Sequence, residues 1–322
     1  MQAFSILNPI SEQLQLVDAR LRAFSESSEL PSLEDLLIHV FDSSGKLARP
    51  ALTLLTAGFH PNDGEKVITM ATAVEMLHVA TLIHDDTVDE SDTRRGRVTV
   101  SSSWGQHTAV LLGDYVFAAS ATYVCSTGNI RVIKRFSETI MDLSRGQLQE
   151  TANSRDITKG MNDYLERIYF KTASLFSTSG ESGAVLSGAP EPIVDSLKKY
   201  SEKIGLAFQV VDDVLDITGT PQEIGKPVGS DLLNGVITLP TIYAIEEPDC
   251  KKKVGLFFDD PSNIELHSEI VEIIKGSDAE ERSYKYADQL VEEAKLSLQP
   301  LRDNDCKKSL LDLADFIISR NN

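Results

Sequence analysis

The residues able to do chemistry fall into two acidic clusters. The first is His84-Asp85-Asp86-Thr87-Val88-Asp89, which closes a long apolar stretch beginning near Val67. Asp85 and Asp89 are four apart, so on a helix they share a face about one turn from each other. Asp86 stands beside them. Carboxylates held this close repel at neutral pH and want a cation between them. With oxygen ligands alone, a hard divalent ion is the natural guest, Mg²⁺ first. The pattern returns at Asp212-Asp213-Val214-Leu215-Asp216, closing a second apolar run from Ile204 to Val211. One such cluster reads as a solvated helix end. Two in the same context predict two helices facing each other across a metal-filled mouth.

Cations gather where the acidic motifs end. Asp89 is followed by Thr93-Arg94-Arg95-Gly96-Arg97, and Asp216 by Gly225-Lys226-Pro227. Earlier, Lys46 and Arg49 stand at a helix start in Ser44-Gly45-Lys46-Leu47-Ala48-Arg49-Pro50. A helix N-terminus with basic side chains is an anion site. Each group alone reads equally well as a solvated loop. Together with the carboxylates they point to a substrate with several negative oxygens, most simply a diphosphate.

The elements that must position these groups read as helices throughout, with no convincing alternating strand pattern. Helices are predicted from Pro9 to Ser25, Ser32 to Phe41, Leu47 to Phe59, and from the Asn62-Asp63-Gly64 turn to Asp89. Further ones are predicted over 107–126, 131–152, 162–187, 193–217, 239–246, 264–275, 278–298 and 305–319. Ser91 to Gly105 and Gly219 to Gly235 read as loops. Met70–Ile83 and Gly205–Val211 are apolar nearly all round, which places such helices at the centre of a bundle. The expected architecture is all-α: one large helical domain over 1–322, its central helices around a deep apolar cavity.

Composition removes several classes. The chain has 322 residues, 41% of them hydrophobic, which is ample for a core, and a net charge of −18. That charge argues against nucleic acid and anionic membrane as general partners. Cys125, Cys250 and Cys306 have no paired spacing, which fits a reducing cytoplasm and gives no zinc signal. No signal peptide is evident and no apolar run is expected to span a membrane. The expected location is cytoplasmic, with no stable membrane anchor.

The ordered motifs resemble the trans-isoprenyl diphosphate synthases, or polyprenyl synthetases. The matching stretches are Gly45-Lys46-x-x-Arg49-Pro50, Glu75-Met76-Leu77-His78, the first acidic motif with Arg94-Arg95-Gly96, Gly113-Asp114, and Lys171-Thr172-Ala173. Gln209-x-x-Asp212-Asp213-x-x-Asp216, Gly225-Lys226-Pro227 and Thr238-Leu239-Pro240 follow in order. The resemblance covers almost the whole chain and implies the isoprenoid synthase fold. It implies that Asp85, Asp86 and Asp89 hold two of three Mg²⁺ ions and Asp212, with Asp216 near it, the third, Mn²⁺ being able to substitute. Asp213 belongs to the same catalytic motif. Arg94, Lys171 and Lys226 are then expected on the allylic diphosphate, and Lys46, Arg49, His78 and Arg95 on isopentenyl diphosphate. Thr172 and Gln209 would direct oxygen dipoles at an allylic cation. The expected reaction is ionisation, condensation and elimination, extending farnesyl or geranylgeranyl diphosphate. A homodimer is expected, with Val110–Tyr123 and Arg131–Leu143 as candidates for the shared face. Two departures stand out: Leu47 and Val236 occupy positions where many relatives carry Arg and Lys.

Product length follows from what lies before Asp85. Ala80 and Thr81 are small where short-chain members usually carry an aromatic. The growing tail is expected to pass them and continue past Met76 and Leu77, with one helical turn of about 5.4 Å per isoprene unit. Phe117 or Phe136 would be a deeper floor, though core packing suits both better. The expected product is a medium- or long-chain polyprenyl diphosphate, leaving by transient membrane contact. The alternatives are a short-chain synthase, a subunit of a heteromeric synthase, a class I terpene cyclase, or a Ca²⁺-binding scaffold. The second full acidic motif argues against the cyclase, and the Arg and Lys loops against the scaffold.

Overall fold

In a computed structural model of the chain, the helix carrying the first acidic motif starts at Asp63. Its side chain accepts from the Glu65 backbone N–H at 3.2 Å, satisfying one orphan donor of the first turn. This helix, α4 (Gly64–Val88), follows α1 (Ser11–Ser25), α2 (Pro31–Phe41) and α3 (Ala48–Ala57). It is buried on every side from Val67 to Leu77. Each such Val, Ile, Leu or Met side chain contributes about 1.5–3 kcal/mol relative to exposure. Thr72 avoids an unsatisfied hydroxyl by donating to Ile68 O at 2.8 Å. Beyond Asp89, Glu90 takes a positive φ of 51° and turns the chain out of the helix.

The structure describes residues 6–27, 30–42, 45, 47–94, 96–220 and 227–319. It divides into two compact units, each discontinuous in sequence. The first comprises Met1–Glu138, Leu175–Ser201 and Leu298–Asp312; the second comprises Thr139–Ser174, Glu202–Ser297 and Leu313–Asn322. In the first unit, α4 packs against α1, α3 and α6 (Gln106–Ser126). The second unit has its own core, where Ile217, Ile237, Val254, Phe257, Ile270 and Ile274 meet. These come from α10 (Glu191–Thr218), the segment before α12 (Leu239–Ala244), α13 (Pro248–Asp259) and α14 (Ile264–Lys275). The remaining helices are α5 (Val100–Trp104), α7 (Ile130–Ala152), α8 (Met161–Ile168), α9 (Ser174–Leu186), α11 (Ser230–Leu233), α15 (Ala279–Ser297) and α16 (Asp305–Ile318).

The all-α expectation stands, with corrections. The stretch read as loop from Ser91 to Gly105 contains a two-stranded antiparallel hairpin and the short α5. The strands are β1 (Thr93–Arg94) and β2 (Arg97–Val98), Thr93 opposite Val98. Two residues per strand are too few to alternate visibly. Helix α13 was not predicted, because its lysines and acids mask Cys250, Val254, Phe257 and Phe258, which form the buried face. The helix expected over 162–187 is α8 and α9 joined by a π-helical turn, Tyr169–Ala173. Asn8 and Pro9 open a 3₁₀ turn before α1.

The expectation that no apolar run reaches spanning length is also wrong. By length and composition both α4 and α6 could cross a membrane. In α4 that apolarity is mostly buried; α6 is only one-third buried and exposes Val110, Leu111 and Tyr115.

Close helix approach depends on glycine. A Cβ at Gly183 in α9 would lie 2.1 Å from Thr53 O in α3, and one at Gly180 would lie 1.9 Å from Ser201 Oγ. The first neighbour is backbone and cannot rotate away. Gly183→Ala is expected to lower stability by about 1–3 kcal/mol through overpacking, read as a lower denaturant midpoint at unchanged m-value. An unchanged midpoint would show that α3 and α9 separate freely.

Candidate active site

In the first unit, the three aspartates ending α4 differ in exposure. Asp86 is buried, Asp85 is half-buried, and Asp89, the C-cap, is exposed. Asp86 is held by Arg94 of β1, whose Nε donates to Oδ1 at 2.6 Å. Burial lifts the Asp86 carboxyl above its ordinary range, although the Arg94 guanidinium pulls the other way. The hairpin carrying Arg94 is itself fastened. His39 Nε2 donates to Val98 O at 2.9 Å, and Arg97 meets Asp42 at 3.2 Å. Trp104 packs edge-on against His39, ring centroids 4.9 Å apart.

A pocket of about 80 Å³ opens at this end, its lining including Gly45, Glu75, His78, Asp86, Arg94 and Arg97. It brings together the expected residues His78, Asp86 and Arg94. Arg49 is not in its lining; the guanidinium lies 4.7 Å from the Phe176 ring centroid, at cation–π distance. Leu47, before α3, has a φ of +48°. Such backbone costs a bulky residue on the order of 1–3 kcal/mol and concentrates at ligand-holding turns. Lys46, Arg95 and Lys226 lie outside the described residues.

His84 faces α6. Its Nε2 lies 3.3 Å from Val110 O and 3.5 Å from Asp114 Oδ1. A Cβ at Gly113 would sit 2.2 Å from that nitrogen, which accounts for Gly113-Asp114 as a sequence pair. Met76, Leu77 and Ala80 are 0–1% exposed. Thr81 is half-buried and donates to His78 O at 2.8 Å. None of the four lines the pocket, which uses the face of α4 carrying Glu75, His78, Val79, Leu82 and Asp86. Phe136 is buried in α7 and Phe117 half-buried in α6.

In the second unit, the motif ending α10 is turned inward. Asp213 and Asp216 are 2% and 1% exposed; Asp212 is half-buried. Asp213 accepts from Tyr164 OH at 2.7 Å and from Gln209 Nε2 at 2.8 Å. Gln209 Oε1 in turn accepts from the Thr172 hydroxyl at 2.6 Å. Burial and the nearby Asp231 carboxylate push Asp213 up to about 7, opposed by Arg167. Burial, then Asp213, raises Tyr164 well above the ordinary phenol. Asp216 accepts from Ser230 Oγ at 2.7 Å and from the Asp231 backbone N–H at 3.2 Å. It fastens the 229–231 turn. Asp213 is held between Gln209 and Tyr164.

Lys171 and Thr172 sit on the π turn, a device common at functional sites. Lys171 pairs with Glu150 of α7, and Arg167 Nε lies 3.8 Å from the same carboxylate. Gly146 lets α7 approach: a Cβ there would lie 2.8 Å from Lys171 N. Glu150, Tyr164 and Arg167 are site residues that sequence reasoning missed. Their signal was present, since Tyr164 and Arg167 are three apart on a short helix just before Lys171.

Among the described residues, no group of three or more His, Cys, Asp or Glu side chains is preassembled around a metal position. The less buried donors, Asp85, Asp89 and Asp212, are all carboxylates. In each unit separately, carboxylate donors fit a hard divalent ion that arrives with further oxygens from its ligand.

Comparison with known proteins agrees with this chemistry. The Polyprenyl synthetase family model matches residues 30–274. A curated relative, heptaprenyl diphosphate synthase component 2 of Geobacillus stearothermophilus, is 36% identical over 311 residues, covering 97% of each chain. The crystal structure of heptaprenyl diphosphate synthase from Staphylococcus aureus superposes with a TM-score of 0.93 at 36% identity, covering 97% of this chain and 99% of that one. A polyprenyl synthase from Caulobacter crescentus CB15, crystallised with calcium and isoprenyl diphosphate, gives 0.93 at 30% identity, covering 99% and 98%.

The contact at Gly146 makes a test. Gly146→Ala is expected to displace the Lys171 backbone and weaken Mg²⁺-dependent binding of inorganic diphosphate about tenfold, ~1.4 kcal/mol, by titration calorimetry. Unchanged affinity would remove Lys171 from the diphosphate site.

Proposed function

The chain belongs to the polyprenyl synthetase family and is a prenyltransferase, and from that premise we propose how its residues divide the work. It condenses isopentenyl diphosphate with farnesyl or geranylgeranyl diphosphate in trans, giving a medium- or long-chain polyprenyl diphosphate. The observation that carries this assignment is the pocket where His78, Asp86 and Arg94 meet at the end of an apolar helix. Lys46, Arg49, His78 and Arg95 hold isopentenyl diphosphate; Arg94, Lys171 and Lys226 hold the allylic diphosphate. Each charge-assisted bond contributes roughly 1.5–3 kcal/mol.

Asp85, Asp86 and Asp89 would hold two Mg²⁺ ions and Asp212 the third, with Mn²⁺ able to substitute. Bound there, the ions would supply positive charge to the leaving diphosphate. The calcium found with the Caulobacter relative supports a divalent site of oxygen ligands. Arg94, which donates to Asp86 Oδ1, would turn to the phosphate oxygens of a bound diphosphate. Thr172 and Gln209 present oxygen dipoles as the allylic C–O bond breaks. The electron-poor carbon is attacked by the double bond of isopentenyl diphosphate, and the released diphosphate takes the proton.

We read both units as one isoprenoid-synthase-like domain over 1–322, since the family match runs through segments of each. A homodimer through α6 and α7 is supported by their exposed Leu111, Tyr115, Met141 and Leu148. A heteromeric synthase is a second reading, since the Geobacillus relative is named a component. A cytoplasmic enzyme releasing product at a membrane completes the proposal.

Purified protein with Mg²⁺, labelled isopentenyl diphosphate and farnesyl diphosphate is expected to yield a ladder ending beyond about five isoprene units. Products stopping at about four would make it a short-chain enzyme. No extension would remove the homomeric synthase. In the same assay, Ala80→Phe is expected to shorten the final product. An unchanged ladder would take Ala80 out of length control.

A further inference from the structure

We propose that Tyr164 is a positioning residue for the condensation, acting through Asp213 to fix the Gln209 amide and, through it, the Thr172 hydroxyl. The inference rests on the prenyl-transfer reading above.

A threonine hydroxyl has one proton and two lone pairs. Thr172 spends its proton on Gln209 Oε1 at 2.6 Å. Both lone pairs of Thr172 Oγ1 are then left for a developing positive charge. This works only while the oxygen end of the amide faces Thr172. The two ends of a glutamine amide are nearly alike in shape. A half-turn about its last bond would point N–H donors at Thr172 and reverse the dipole, to the cost of a cation.

Asp213 selects the orientation. Both of its oxygens accept in the structure, and Oδ1 takes the Nε2 end of Gln209 at 2.8 Å. Its other oxygen, Oδ2, is fixed by Tyr164 OH at 2.7 Å. With that bond the carboxylate plane is set and Oδ1 stays directed at Gln209. Tyr164 is itself immobile: 2% exposed, its ring 5.6 Å from the Arg167 guanidinium. Arg167 is anchored by donating to Ile237 O at 3.0 Å.

A buried tyrosine often does no more than satisfy its own hydroxyl. Two features separate Tyr164 from that case. Its partner is the middle residue of the second acidic motif, not a backbone carbonyl. The chain of bonds then runs, one donor to one acceptor, to a side chain on the π turn beside Lys171.

The test is steady-state kinetics of the full-length protein with Mg²⁺, an allylic diphosphate and isopentenyl diphosphate. Tyr164→Phe keeps the ring and removes the hydroxyl. The expected result is a kcat about tenfold lower, with both KM values within about twofold and the product ladder unchanged. Gln209→Leu lowers kcat at least as much. The Tyr164→Phe/Gln209→Leu double variant is then no slower than Gln209→Leu alone, because both changes break one chain. Asp213→Leu removes the acceptor that Gln209 Nε2 needs and is expected to match the Gln209→Leu loss. A Tyr164→Phe kcat within about twofold of wild type, or additive losses in the double variant, would overturn the inference. Wild-type protein that extends no chain would remove the functional reading and this inference with it. Wild-type turnover beside an unimpaired Tyr164→Phe removes this inference alone.

Discussion

A buried carboxylate must be paired or hydrogen-bonded, or burial makes its charge too costly to keep. Each acidic motif meets this constraint by splitting its three aspartates. In the first, Asp86 turns inward to Arg94 while Asp85 and Asp89 stay at the surface side of the helix end. In the second, Asp213 and Asp216 turn inward to Tyr164, Gln209, Ser230 and the Asp231 backbone. Only Asp212 remains half-exposed there. The inward aspartates organise the neighbouring structure: Asp86 holds a hairpin arginine, Asp216 a turn, Asp213 an amide. The outward ones are the less buried carboxylates of each motif.

This split accounts for the surroundings of each motif. The first needs a short hairpin to deliver Arg94, and the hairpin needs His39 and Asp42 of the α2 end to hold it. The second needs Thr172 within reach of Gln209. A π turn supplies it, and Gly146 makes room for that turn's backbone. Burial of α4 over three turns gives the first motif a stiff base. Acidic groups at the end of a loosely packed helix would separate, and their repulsion would unwind the last turn.

The all-α class, the central helices and both aspartate motifs were legible because they are local patterns. Helical periodicity and four-residue spacings need no knowledge of distant partners. The hairpin was not legible, since its closure depends on Val98 reaching His39 across 59 residues. Nor was the inward turn of Asp213, whose partner Tyr164 is 49 residues away. Asp213 and Asp216 look alike in sequence to the aspartates of the first motif. Only Ser230, Tyr164 and Gln209, placed by tertiary packing, give them different surroundings. Helix α13 was legible in principle, from Cys250, Val254, Phe257 and Phe258 at helical spacing, but its charged face hid that pattern.

The division between outward and inward aspartates is tested most directly by titrating Mn²⁺, with inorganic diphosphate present, into Asp212→Asn and Asp216→Asn and counting bound ions by electron paramagnetic resonance. The account predicts that Asp212→Asn loses a bound ion, whereas Asp216→Asn keeps the wild-type count and loses thermal stability. Loss of an ion from Asp216→Asn with Asp212→Asn unaffected would contradict it.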